Sequence, residues 1–194
     1  MSENRLIVNP NLLDNWYFGN PVNRNGLTEY TDCYDKVTID RWKSRSSGLT
    51  VIVNDDSITL TNNSTDSAVY WTQYFNDNNF SAGKYTYSIL VTGVSGTVDS
   101  YNRYGSIYPY NKDAEGAESY LSAKNITSAG LFSVTNDISN CMSRVQIQVQ
   151  VGCSITLKAI KLELGDTQTL ARQENGNWVL NEIPNYAEQM ATCS

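Results

Sequence analysis

The chain has 194 residues, enough for one domain with a sizeable core, and carries a formal net charge of −6 with no histidine. The acidic total argues against a nucleic-acid partner, which needs a basic face. Without histidine there are no Ser-His or Cys-His nucleophilic pairs, no imidazole acid–base chemistry and no His-ligated metal. Catalysis is left with carboxylate pairs brought about 5–10 Å apart by the fold.

Charged residues make up only 18% of the chain, and its polarity comes largely from Ser, Thr and 22 Asn. Asn favours turns and helix ends, so this composition suits a turn-rich β protein. No apolar run approaches the roughly 18 residues that would span a bilayer. The start, MSENRLIVNP, shows no basic n-region, so no secretion signal is expected and no membrane partner either. The cysteines at 33, 141, 153 and 193 lack C-x-x-C spacing and are read as free thiols.

In chain order, NLLDNWYFG (11–19) comes first, with three adjacent aromatics that cannot all point inward from an extended segment. Trp16 and Phe18 are expected to face one way, into the core or its edge, and Tyr17 the other. Strands are predicted over 37–45 (with Trp42 in the core), 48–56, 57–63 and 68–75, then 83–93, 97–110 and 130–137. DAEGAESYLSAK (113–124) has the makings of one or two helical turns. In RVQIQVQVGCSITLKAIKLELGD (144–166), Val145, Ile147, Val149 and Val151 alternate with Gln146, Gln148 and Gln150, the period of a strand with one wet face. Gly152-Cys153 then reads as the turn of an antiparallel hairpin. A β-bulge near Ala159 explains why the apolar phase reverses before Leu162 and Leu164. Eight or nine short strands without crossover helices predict an all-β fold, two antiparallel sheets face to face.

After Gly165 the pattern changes. Asn175-Gly176 between two short strand patterns signals a two-residue hairpin turn. IPNYAEQMATCS reads as a helix start, with Asn185 as cap and Glu188 three residues on. The expected division is a sandwich domain over 1–165 and an appendage over 166–194. A hairpin and a two-turn helix are each marginal alone. The appendage therefore either folds back onto its own sandwich or assembles the chain into a homo-oligomer.

The densest aromatic patch is SYNRYGSIYPYNKD, with Tyr101, Tyr104, Tyr108 and Tyr110 beside Asn102, Arg103, Asn111 and Asp113. Tyrosine presents area and a polar handle at low rotamer cost, which suits the face and hydroxyls of a sugar ring. Tyr101, Asn102, Arg103, Tyr104, Tyr108 and Tyr110 are thus the candidate ligand-binding residues. Two other readings stay open: rings that roof the sandwich, and rings that face a neighbouring subunit. Tyr70, Trp71 and Tyr74 form a second candidate, with Trp71 expected to be buried.

NLLDNWYFGNPVNRNG, TIDRWKS, FSAGKYTYSILVTG and ITLKAIKLELGDTQT together resemble the jelly-roll domains of phage and prophage tail proteins of gut Firmicutes. Those domains are similar to the family 4/9-type carbohydrate-binding modules of glycan-degrading enzymes. LARQENGNWVLNEIPNYAEQM resembles the stretch that follows such domains in tail-fibre-like proteins, whereas 94–143 matches nothing. The resemblance implies a jelly-roll β-sandwich in which N-L-L-x-N runs beside strand 155–164. It also implies a non-catalytic virion component, made in the bacterial cytoplasm, that recognises a host-surface glycan. Its partners would be other tail proteins and, as tail fibres are commonly threefold, two further copies of itself. A purely structural tail protein and the binding module of a glycoside hydrolase are the alternatives. Modules of this kind often hold a structural calcium, and Asp14, Asp40 and Asp166 stand in the right neighbourhoods, but they lack regular ligand spacing; they read as ordinary turn or surface aspartates, and no cofactor is expected.

Overall fold

A computed structural model describes residues 8–76 and 80–193. The strands are β1 (Glu29–Tyr30), β2 (Lys43–Ser44), β3 (Leu49–Val53), β4 (Ile58–Asn62), β5 (Val69–Tyr74), β6 (Ser81–Ser95) and β7 (Gly105–Lys112). They continue with β8 (Glu118–Tyr120), β9 (Lys124–Ile126), β10 (Gly130–Val149), β11 (Ser154–Leu164), β12 (Ala171–Glu174) and β13 (Asn177–Leu180), before the helix α1 (Tyr186–Thr192). Every strand pairing is antiparallel. The fold is an all-β, jelly-roll type sandwich, as the strand pattern led us to expect.

Two layers follow from one long strand. The first sheet runs β1-β3-β4-β11-β6-β10, and the second runs β2-β5-β10-β7, with β8 and β9 both on β7. Strand β10 belongs to both. Its first half pairs with β6 from Gly130 to Cys141, and its second half lies between β5 and β7 up to Val149. Register shifts between Ile138 and Cys141, and between Met142 and Arg144, mark where it turns the corner. Bulges bend a strand and let it change sheets in this way.

Alternation then fills the interior. Val145, Ile147 and Val149 of β10 meet Ile155, Leu157, Ile160 and Leu162 of β11 in one cluster of buried side chains. Tyr87 of β6 crosses this core and donates from its hydroxyl to the Gln146 carbonyl at 3.2 Å. The bulge expected near Ala159 is present, as register shifts either side of Leu157.

The opening segment 11–18 continues the first sheet beyond the end of β4. Leu12 N–H donates to the Leu162 carbonyl at 2.8 Å, and Phe18 N–H to the Lys158 carbonyl at 2.9 Å. Phe18 goes inside against Trp42 and Trp71, whose rings stack at 4.4 Å. Both indole N–H groups find acceptors, the Asn15 carbonyl and the Thr38 hydroxyl. Tyr17 points the other way, with the Lys158 ammonium 5.7 Å from its ring centroid.

Three sequence expectations are corrected. Strands β10 and β11 do not form a hairpin: Gly152, at φ +70, carries the chain from the second sheet to the first. Periodicity reports a strand's faces but not its partner. Of the strand expected over 37–45, Lys43–Ser44 forms a strand and Val37 a single antiparallel bridge to Lys43; tight turns take the rest. Segment 113–124 makes no helix. It supplies the turn after β7 and then strand β8, whose backbone the β7 edge recruits.

The segment from 166 onward lies on its own sandwich. The turn at Asn175-Gly176 has φ +50 and +79, as the two-residue hairpin requires. Leu170 and Ala171 pack on Leu90 and Ala159. Beneath them Lys161 donates to the Thr169 hydroxyl at 2.8 Å, and the Thr169 N–H donates to the Glu163 carboxylate at 2.9 Å. Asn185 caps α1 by accepting from the Ala187 N–H. Gln189 is 3% exposed and bonds the backbone of Tyr17 and Asn20. The appendage thus buries Leu170, Ala171 and Cys193 within its own chain, while Trp178, Ile183, Tyr186 and Met190 stay exposed.

Candidate ligand-binding cleft

The outward face of the second sheet is built from three register rows. Tyr70, Gln148 and Ser106 lie side by side across β5, β10 and β7; Thr72, Gln146 and Tyr108 form the next row. Tyr74, Arg144 and Tyr110 make the third, which Tyr120 of β8 extends. The bulge between Met142 and Arg144 brings Arg144 into that row, one residue out of its earlier phase. All of these except Thr72 and Tyr74, together with the 120–123 stretch, enclose a cleft of about 970 Å³, with Arg45 and Arg103 also lining it. Its size falls at the upper end of the roughly 300–1,000 Å³ typical of small-molecule sites.

A directed hydrogen-bond chain crosses the floor. Thr72 donates to the Gln146 side-chain oxygen Oε1 at 3.2 Å, and the Gln146 side-chain amide donates to the Tyr108 hydroxyl at 2.8 Å. Tyr108 in turn donates to the Gln148 side-chain oxygen Oε1 at 3.0 Å. Burial pushes the Tyr108 phenol well above its ordinary value despite the Gln146 bond, so it remains a neutral donor. The chain ends on Gln148, whose amide nitrogen has no hydrogen-bond partner among the described residues and stands half-buried at the cleft floor.

Rings and guanidinium groups make the walls. Tyr108, Tyr110 and Tyr120 form a triangle with centroids 5.9–6.3 Å apart. The Arg144 guanidinium lies 3.9 Å from the Tyr110 ring centroid and donates to the Tyr74 hydroxyl at 2.9 Å. Arg103 is held on the rim by Asp99 at 2.8 Å, within a turn whose Asn102 has φ +57. Such a floor offers amide and hydroxyl groups at a spacing set by the sheet, and such walls offer flat apolar faces. Together they suit a ligand with many hydroxyls and an apolar ring face.

Of the residues singled out from sequence, Arg103, Tyr108 and Tyr110 line this cleft. Tyr101 is 72% exposed and lies outside the lining, and Asn102 serves the turn. Tyr104 packs against the main core, and its backbone bonds Ile126 and Gln150. Of the second candidate, Tyr70 lines the cleft, Tyr74 holds Arg144, and Trp71 is buried in the core. Sequence reasoning missed Gln146, Gln148 and Arg144 as site residues. Their signal was the alternating RVQIQVQV itself, read there as a solvated face.

The aspartates that the resemblance offered to calcium do not fit a metal. Asp14 pairs with Arg41 at 2.9 Å and Asp40 with Arg24 at 3.4 Å. Asp166 is exposed and bonds Thr167. Among the described residues no three His, Cys, Asp or Glu side chains gather in one place.

No protein-family model and no curated protein matches the chain. Solved structures do. One is a variant of a family 29 carbohydrate-binding module, CBM29-2, with TM-score 0.42 and 10% identity over 71% of this chain and 91% of that one. Another CBM29-2 variant, solved in complex with cellulohexaose, has TM-score 0.41 and 10% identity over 70% and 89%. A third, CBM29_1 from Piromyces equi, has TM-score 0.40 and 9% identity over 70% and 90%. The structural neighbours are thus β-sandwich carbohydrate-binding modules, too distant to bear on what this chain binds.

Proposed function

We propose that the chain is a non-catalytic glycan-binding module whose oligosaccharide ligand lies in the cleft on the outer face of the second sheet. The observation that carries this reading is the floor chain Thr72–Gln146–Tyr108–Gln148, which ends in an unpaired amide among the described residues and is flanked by Tyr70, Tyr110 and Tyr120. Planar amides bond pairs of sugar hydroxyls, and tyrosine rings cover the apolar face of a pyranose. Hydrolysis needs a pair of carboxyl groups about the scissile bond. Among the described residues none that lines the cleft is Asp or Glu.

Two settings use such a module. The sequence resemblance at both ends of the chain supports a phage or prophage tail component that recognises a host-surface glycan. The same cleft would serve the alternative setting, a binding module attached to a glycoside hydrolase. A glycan-array screen of the purified chain, followed by calorimetric titration of the hits, tests the binding itself. Saturable binding weakened by Gln148→Ala supports the reading. Absence of binding across bacterial and plant glycans contradicts it.

A further inference from the structure

The cleft has a charge of its own, opposite to that of the chain. The whole protein carries −6, yet Arg45, Arg103 and Arg144 all line the cleft, and no carboxylate among the described residues does. Arg45 and Arg103 are fastened from behind by Asp35 and Asp99, which leave their positions fixed on the rim. Arg144 is different. It sits on the floor between β5 and β7, with its side chain 15% exposed.

Its bonding is incomplete. Nη1 donates to Tyr74, but the carboxylate of Glu118 lies 3.8 Å from Nη2, beyond a good hydrogen bond. Nε is buried and has no partner among the described residues. Stacking on Tyr110 fixes the plane of the guanidinium and leaves bonding to its edge. With Nη1 taken by Tyr74 and Nε closed off, the guanidinium has Nη2 to offer a ligand carboxylate in a charge-assisted hydrogen bond. A neutral sugar would spend the cost of burying this cation without using its charge.

Resting on the glycan-binding reading, we propose that the ligand is an acidic glycan, and that Arg144 receives the carboxylate of a uronic-acid-type residue. Arg103 and Arg45 then attract the neighbouring acidic sugars along the chain. Tyr110 and Tyr120 contact ring faces, and the Gln148 amide takes a hydroxyl. The arginines select the charge; the tyrosines and glutamines select a sugar.

The test uses the full chain and calorimetric titration in about 0.15 M salt, where the screening length is about 8 Å. The probes are polygalacturonate, alginate and hyaluronan oligosaccharides, each beside its methyl-esterified form, with cello- and manno-oligosaccharides as uncharged probes. At least one acidic oligosaccharide should bind about tenfold or more tightly than its ester. Arg144→Gln should abolish that preference. Arg103→Gln, on the rim, should reduce it by several-fold. If uncharged sugars or esters bind as well as the acids, the inference is overturned and the glycan reading stands. A preference that survives both substitutions also overturns it. If no sugar binds, both fall together.

Discussion

The Gln146 side-chain amide donates to the Tyr108 hydroxyl at 2.8 Å across the β10–β7 pair, and that one bond sets the direction of the whole floor. With Tyr108 accepting from Gln146, its own proton goes to Gln148, and the donors of Gln148 face the cleft. Tyr108→Phe leaves the Gln146 amide and the Gln148 oxygen without this partner. We expect it to cost about 1–3 kcal/mol of stability, because Gln146 is 4% exposed and has little access to water. Ligand affinity should also fall, since Gln148 is then free to rotate. Chemical denaturation and calorimetric titration of the same variant read the two effects separately.

Tyr120 and Tyr101 are almost equally exposed, at 73% and 72%, but only Tyr120 lines the cleft. Tyr120→Ala should weaken binding about tenfold with little change in unfolding temperature, as loss of a stacking aromatic at a hot spot does. Tyr101→Ala should leave both unchanged. Equal losses from the two would move the site outward onto the 99–103 turn.

Much of the fold was legible in the sequence because it rests on local signals. Alternation placed β3 to β6 and β11 within a few residues, and Asn175-Gly176 and Asn185 declared the last hairpin and helix. What could not be read was the partner of each strand. Strand β10 has no sequence mark for its passage between sheets, beyond the interrupted alternation at 138–144. The site was half legible for the same reason. Tyr108 and Tyr110 stood out as part of a local cluster, whereas Gln146, Gln148 and Arg144 become site residues only when β7 and β5 close in on either side.

Asn15 tests how the opening segment is tied to the core. It is fully buried at φ +47, and its amide donates to the carbonyls of Val22 and Asp40 while its oxygen accepts from the Val22 N–H. Alanine there abandons all three bonds and tolerates the left-handed backbone poorly. A loss of about 3 kcal/mol or more is expected, measured by urea denaturation.

Alkaline pH should unfold the protein, and Tyr87 gives the sign. Burial, with a smaller contribution from nearby Tyr108, holds the Tyr87 phenol well above its ordinary 10.0. The unfolded chain releases that proton near 10.0 and the folded chain keeps it, so stability is intact below pH 10 and falls as pH rises above it. Lys161 works in the opposite direction: burial lowers it from 10.5, against the pull of Glu163 and Glu182, so its contribution rises with pH up to that value. Unfolding temperature followed from about pH 8 to about pH 11 should therefore drop steeply only beyond about 10. Tyr87→Phe should cost about 1 kcal/mol at neutral pH and lessen that drop, the rest coming from other buried phenols such as Tyr108.

Whether sugar lies on the Gln146–Gln148 floor can be read from the side-chain amide NMR signals of the two glutamines during titration with an oligosaccharide that binds. A ligand on this floor should give saturable shifts at Gln148, and smaller ones at Gln146 behind it, together with backbone shifts in β7 and β10. Saturation with those amides unmoved, and with shifts confined instead to the groove beside Tyr17 and Trp178, would contradict that placement.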